Sequence, residues 1–409
     1  MFARGSRPGQ HGDRDTPSYV CGMTIGFASR AAVSGCVLCA AGLLALAPAA
    51  ATTGPGVDPG PRTTDAPASL LYRPGTHVRP RAGAPEVPDL SARSWLVADA
   101  DTGAVLAAHD AHRRLPPAST LKTLFALTVM PALPSGIRHR VDPEELEGIG
   151  PGSSLVGVAE NRTYRVSDLW NGVFLNSGND AVHVLAALNG GWRATAERME
   201  EKARALGARD TRVKSPDGYD APGQVSSAFD LAVFGRTGLR SPEFAEYCAR
   251  AEASFPARDG GSYPILNTNR LLTGADGVAP YRGLIGVKNG YTSHAGNTLV
   301  AAARRDGRTL VATVMNPRSD HGHAVYEEAR ALLDWGFEAA GRVHPVGSLD
   351  ALRSAPPGGP EADAVAVPAS RGDDTDDRRV WWTVTGAGLL GGAGVAVYLR
   401  LRWGPVPKD

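Results

Sequence analysis

The stretch "NTLVAAARRDGRTLVATVM" at residues 297–315 constrains the fold more than any other part of the chain. Two apolar segments flank Asp306-Gly307, a dipeptide that tolerates the positive φ of a tight hairpin turn, so the segments should pair antiparallel. A second unit of this kind, "SWLVADADTGAVLAA" at residues 94–108, turns at Asp101-Thr102-Gly103 far earlier in the chain. Between the two hairpins the apolar spacing is that of helices, at residues 166–175, 181–188, 226–234 and in "WRATAERMEEKARALGA". A further helix, "AVYEEARALLDWGFEAA", follows the last hairpin. Strands at both ends with helices between them predict an α+β domain at residues 91–340. One antiparallel sheet would be formed from both ends of the domain, with a helical lobe inserted.

The flanks are of a different character. Arg30 precedes "AAVSGCVLCAAGLLALAPAAA", an apolar run ending in small residues, as in a secretory signal peptide at residues 1–51 cleaved after Ala51. Met23 is a candidate for the true start, because the residues before it are polar and charged. Val33-Ser34-Gly35-Cys36 resembles a lipobox, but the apolar run continues past Cys36. Residues 52–90 and 341–379, rich in Pro, Gly and charge, read as linkers. Residues 380–399 carry no charge. At about 1.5 Å per residue, a helix of that length crosses a hydrocarbon core of about 30 Å. Trp381, Trp382, Tyr398 and Trp403 lie where interface aromatics belong, and Arg400, Arg402 and Lys408 mark residues 400–409 as a cytoplasmic tail. The expected location is a single-pass cell-membrane protein with its catalytic domain outside. A net charge of +1 argues against a nucleic-acid partner. Cys248 is the one cysteine after the presumed cleavage site, so the core rather than a disulfide must hold the fold.

Three short stretches carry candidate chemistry. "PPASTLKT" sets Ser119 at a helix start and Lys122 one turn on; residues i and i+3 share a helix face, with Cβ atoms about 5–6 Å apart. A lysine whose pKa is lowered by burial can take a serine's proton and make it a nucleophile. The plain alternative is a capping serine beside a solvated lysine, which the apolar neighbours Leu121, Leu124 and Phe125 weaken. Ser177-Gly178-Asn179 lies between two predicted helices, where a turn alone would account for it. Lys288-Asn289-Gly290 lies at a strand start, where a lysine can simply defend a sheet edge.

In that order the three resemble the S-x-x-K, S-x-N and K-T-G motifs of the serine acyl-transferases that react with penicillin. With "ADTGAVL", "LNSGNDAV", "NTNRLL" and "GVKNGYTSHAGNTLVAAA" in register, the chain is similar to the serine-type D-alanyl-D-alanine carboxypeptidases, the low-molecular-mass penicillin-binding proteins. The resemblance implies a three-layer α/β/α, β-lactamase/transpeptidase-like fold. It implies an enzyme that removes the terminal D-Ala from a peptidoglycan stem peptide ending in D-Ala-D-Ala, and that β-lactam antibiotics acylate. Ser119 would be the nucleophile and Lys122 its base, with Ser177 and Asn179 relaying a proton and holding the acyl amide. Lys288, Asn289, Gly290, Tyr291 and Thr292 would bind substrate, with Lys288 facing the terminal carboxylate and lowering the pKa of Lys122. The backbone N–H groups of Ser119 and Tyr291 would form the oxyanion hole. Neither a metal nor a cofactor is implied.

Two departures from the family pattern stand out. Asn289 replaces the usual threonine, with Thr292 a possible substitute, and the arginine expected after the last hairpin has only Arg318 as a candidate. The short distance from catalytic domain to membrane span leaves no room for the extra β-rich domain many members carry. A class A-like β-lactamase is the nearest rival, but the E-x-x-L-N it needs between the second and third motifs is not found. A non-catalytic wall-binding protein is the other, with Asn289 its sole argument.

Overall fold

The computed structural model describes residues 70–319 and 322–350. The predicted signal peptide, the charged part of the second linker and the span at 380–399 lie outside the described residues. Among the described residues no helix is long and apolar enough to cross a membrane.

Strands β1 (Thr76–Pro80), β2 (Ser94–Asp99) and β3 (Ala104–His109) come first. A 3-10 turn, Ala118–Leu121, leads into helix α1 (Lys122–Val129). Short strands β4 (Arg138–Arg140) and β5 (Thr163–Arg165) pair with each other ahead of α2 (Val166–Leu175), α3 (Asn179–Leu188), α4 (Trp192–Ala205), α5 (Ala228–Leu239) and α6 (Pro242–Ala249). The hairpin β6 (Glu252–Pro256) and β7 (Ser262–Leu266) and the single turn α7 (Arg270–Thr273) follow. The chain then forms β8 (Leu284–Thr292), β9 (Gly296–Arg305), β10 (Arg308–Met315), α8 (Ala324–Ala339), β11 (Val343–His344) and β12 (Gly347–Ser348).

The main sheet runs β11-β1-β3-β2-β10-β9-β8, antiparallel throughout, with β12 also paired to β3. Both predicted hairpins are present, and β10 of one pairs directly with β2 of the other, closing the sheet from both ends. Side chains alternate across a strand, so the sheet divides the core in two. Leu96, Ala98, Val311 and Met315 face the side packed by α1, α5 and the lobe. Trp95, Val97, Leu310, Ala312 and Val314 face α8, whose Val325, Ala329, Leu332, Leu333 and Ala339 form one apolar stripe. The three layers are therefore helices, sheet and helix.

The domain is larger than 91–340. Strand β1 falls in the stretch read as a linker at 52–90, and β11 and β12 in the linker read from 341. β1 is held by backbone pairing to β3 and β11 and exposes Thr76, Arg79 and Pro80, so it lacks the apolar alternation that marks a strand in sequence. β11 and β12 are each two residues long, too short for any periodicity.

Candidate active site

Ser119 sits in the 3-10 turn that starts α1, half-buried, with Lys122 one turn later and 1% exposed. Pro117 and Ala118 before Ser119, and Leu121, Leu124 and Phe125 after it, are all buried, so the turn is anchored in the core on both sides. The Lys122 amine has three partners. It donates to Ser119 Oγ (2.8 Å), to Asn179 Oδ1 (2.7 Å) and to the Asp217 carbonyl (2.5 Å). Burial lowers its pKa to about 8, partly offset by the carboxylates of Asp217 and Asp180. Two of these partners are oxygens that can only accept. Once the amine is neutral, its two N–H bonds are taken by Asn179 and Asp217, and its lone pair is directed at the Ser119 hydroxyl.

Asn179, at the first turn of α3, is fixed on its other side by an Nδ2 bond to Ser153 Oγ (2.9 Å). Asp180 next to it accepts from the backbone N–H groups of Val156, Gly157 and Val158 at 2.7–3.0 Å, holding the loop that walls the cleft. Ser177 is 7% exposed, has φ 58°, and its buried Oγ has no hydrogen-bond partner among the described residues. A non-glycine residue in the left-handed region is costly and tends to mark functional sites.

The third element lies on β8, the edge of the sheet. A Cβ on Gly290 would fall 2.6 Å from Ser119 N and 3.0 Å from Thr120 N, so glycine is required by the approach of the turn that carries Ser119. Thr298 of β9 fastens the same turn through its hydroxyl to the Pro117 carbonyl (2.9 Å). Lys288 is 1% exposed, and its amine donates to the Asn289 carbonyl (2.9 Å). Burial pushes its pKa well below the usual lysine value, and the Lys122 charge adds to the effect. The like charges of Lys122 and Lys288 act on each other, and both amines are lowered chiefly by burial.

Asn289 points away from Ser119. Its Oδ1 accepts from Thr268 Oγ1 (3.0 Å), while its Nδ2 donates to the Thr268 carbonyl (3.3 Å) and Tyr326 Oη (3.4 Å). This gives the "NTNRLL" stretch its place: Thr268 braces the outer side of β8. Thr292 is also committed, donating to Asp220 Oδ1 (2.7 Å) and accepting from Ala295 N (3.0 Å), so its hydroxyl has no proton left for a substrate carboxylate. Tyr291 is 67% exposed. Arg318 is exposed on the loop after β10, with its backbone N–H bonded to Ser91 Oγ.

A cavity of about 190 Å³ opens in front of Ser119, lined by Asn179, Tyr291 and Thr292 among others, with Pro151–Ser154 and Gly218–Asp220 as its walls. Lys288, Asn289, Gly290 and Ser177 are not among its lining residues. The Gly218–Asp220 wall was not anticipated from sequence. A Cβ on Gly218, at φ +83°, would fall 2.1 Å from the Ala118 carbonyl oxygen, so this loop backs directly onto the turn that carries Ser119. Asp217 accepts from Ser215 Oγ and from Tyr219 N, and Gln224 Nε2 donates to the Tyr219 carbonyl, which together fix the carbonyl that meets Lys122. "SPDGYD" carries a visible Asp-Gly turn signal, but a backbone acceptor has no residue type to betray it. Cys248 is buried, its thiol pushed up to about 12 by burial, which suits packing.

A serine hydroxyl held by a buried amine beside an open sheet edge is the arrangement of serine–lysine acyl-transfer enzymes as a class. The comparisons with known proteins give the family. The sequence profile of the Peptidase S11, D-alanyl-D-alanine carboxypeptidase family matches residues 81–319. D-alanyl-D-alanine carboxypeptidase DacB2 of Mycobacterium tuberculosis is 40% identical over 271 residues, covering 66% of this chain and 89% of that protein. DacD of Escherichia coli is 36% identical over 265 residues, covering 62% of this chain and 64% of its own length. Among solved structures, the D-alanyl-D-alanine carboxypeptidase of M. tuberculosis H37Rv superimposes with TM-score 0.60 at 38% identity, over 66% of this chain and all of that one (100%). Penicillin-binding protein 6B of E. coli gives TM-score 0.56 at 33% identity, over 64% of this chain and 81% of that one. The chain belongs to the D-alanyl-D-alanine carboxypeptidase family, peptidase S11, and has the penicillin-binding-protein, β-lactamase-like fold of its relatives.

Proposed function

We propose that the protein is a serine DD-carboxypeptidase that releases the terminal D-Ala from peptidoglycan stem peptides through an acyl-enzyme on Ser119. The observation that carries this reading is the bonding of Lys122, buried, lowered to about 8 and directed at Ser119 Oγ. Ser119 Oγ attacks the carbonyl of the D-Ala-D-Ala bond while its proton passes to the Lys122 amine. The backbone N–H groups of Ser119 and Tyr291 receive the charge developing on the carbonyl oxygen; losing one such donor typically costs about 10²–10³ in turnover. The C–N bond then breaks, the proton reaches the leaving D-Ala amine by way of Lys122 and the Ser177 hydroxyl, and Asn179 holds the acyl amide. Water cleaves the ester by the same proton path, and a β-lactam stalls at the ester.

Lys288 supplies the positive charge for the substrate's terminal carboxylate, and the open edge of β8 pairs with the peptide backbone. The leader at residues 1–51 and the uncharged stretch at 380–399 support a catalytic domain held outside the cell membrane by a C-terminal helix. Labelling by a fluorescent penicillin tests the assignment: wild type becomes labelled and Ser119→Ala does not. Undiminished labelling of the variant would refute Ser119 as nucleophile, and rapid nitrocefin turnover by wild type would make the protein a β-lactamase instead.

A further inference from the structure

Tyr219, half-buried in the Gly218–Asp220 wall of the cavity, has no part in the proposed reaction. Its phenol donates to the Pro151 carbonyl (2.9 Å), 68 positions away on the Pro151–Ser154 wall. Its ring lies against Gly150, where a Cβ would fall 2.4 Å from Tyr219 Cζ. Gly150 is not among the glycines with positive φ, so the ring, and not the backbone conformation, excludes a side chain there. The Tyr219 backbone is held too: its N–H donates to Asp217 Oδ1 (2.9 Å) and its carbonyl accepts from Gln224 Nε2 (2.7 Å).

Two bonded paths run from Tyr219 to the Lys122 amine. One passes through Asp217, whose side chain takes the Tyr219 N–H and whose carbonyl accepts from Lys122 (2.5 Å). The other passes through Pro151 into residues 150–154, a segment with no helix or strand to hold it. There Ser153 Oγ accepts from Asn179 Nδ2 (2.9 Å) and the Ser154 carbonyl accepts from Asn179 N (2.8 Å). Asn179 Oδ1 in turn accepts from Lys122 (2.7 Å). These two acceptors are the ones that occupy the N–H bonds of neutral Lys122 and leave its lone pair for Ser119.

We propose that Tyr219 is a positioning residue for Lys122: by joining the two loops that fix the amine's acceptors, it directs the Lys122 lone pair at Ser119 Oγ. This inference rests on the carboxypeptidase reading, in which Lys122 is the base. Tyr219 takes no proton in the step and acts only through Asp217 and Asn179.

The test follows D-alanine release and acylation by a fluorescent penicillin, with rates taken per site titrated by penicillin. Tyr219→Phe keeps the ring on Gly150 and loses only the bond to Pro151. Both kcat and the acylation rate should fall about five- to tenfold, the range one hydrogen bond spans, with KM within about twofold of wild type. The midpoint of the acylation rate against pH should move down, because the Asn179 and Asp217 oxygens support the ammonium form. The charged groups that face the amine, Asp217, Asp180 and Lys288, are unchanged in this variant. Gly150→Ala should lower the same rates about as much, by pushing the ring off the loop. In a Tyr219→Ala background the added methyl meets no ring, so Gly150→Ala should then cost less than about twofold. A raised KM with kcat unchanged, an unmoved pH profile, or losses that multiply in full in the double variant would overturn the proposal. So would unchanged rates per titrated site, which would reduce Tyr219 to a support of folding. Absence of D-alanine release and of Ser119-dependent acylation in wild type would instead overturn the carboxypeptidase reading.

Discussion

Two lysines of the candidate site are each 1% exposed, and their neighbours treat them differently. Lys122 meets three oxygen partners and has Asp217 and Asp180 near enough to support its charge, so its pKa stops at about 8. Lys288 donates to the carbonyl of the next residue, with Asn289 Oδ1 at 3.5 Å, and the neighbouring charge it feels is the like charge of Lys122. Desolvation penalises both ammonium groups, and what separates them is compensation by neighbours. Lys122 can gain and lose a proton within reach of neutral pH, which the proposed role of general base requires. Among the described residues no carboxylate is found to support the charge of Lys288, and a substrate carboxylate is the partner that would complete it.

The largest test of this contrast removes the base. Lys122→Met should lower the rate of acylation by a fluorescent penicillin by about 10²–10⁴, the usual contribution of general-base catalysis. In wild type the same rate should rise with pH up to about 8 and level off above it, because the neutral form of Lys122 accepts the proton and its fraction grows as pH passes its pKa. A rate flat between pH 6 and 9, or a small effect of the substitution, would end the role given to Lys122.

A smaller effect probes the other lysine. Its pKa is lowered in the free protein and an arriving carboxylate favours the charged form, so binding should take up a proton. Calorimetry of a peptide ending in D-Ala-D-Ala binding to Ser119→Ala, in two buffers of different ionisation enthalpy, should show net uptake above neutral pH. Lys288→Met should abolish the uptake and weaken binding about tenfold or more. Uptake that persists in Lys288→Met would assign the proton elsewhere.

The smallest effect is expected at Asn289. Its amide faces Thr268 and Tyr326, so Asn289→Thr should change D-alanine release by less than tenfold, about 1.4 kcal/mol. A larger change would mean that the amide reaches the substrate after all.

These residues also show what a sequence can and cannot carry. Both hairpins, the helices over Val166–Leu175 and the final helix were legible because turn chemistry and apolar period are local properties. β1 was not, because a strand with exposed side chains is defined by its pairing partners, here β11 and β3. Ser119, Lys122, Asn179 and Lys288 were legible as side chains of the right type in the right order, and the fold brings Lys122 and Asn179 within 2.7 Å although 57 positions separate them. The Asp217 carbonyl escaped because a backbone oxygen is common to every residue, and Asp220 because it faces a cavity whose other walls come from four distant segments. The direction of Asn289 and the unequal fates of the lysines depend on neighbours from Thr268, Tyr326 and Asp180, which no local pattern specifies.

The most direct measurement is D-alanine release from a peptide ending in Lys-D-Ala-D-Ala, followed side by side in wild type and Ser119→Ala. Wild type should release D-alanine catalytically and Ser119→Ala should release none above background. Undiminished release by the variant, or no release by a wild-type protein that a penicillin still acylates, would contradict the assignment.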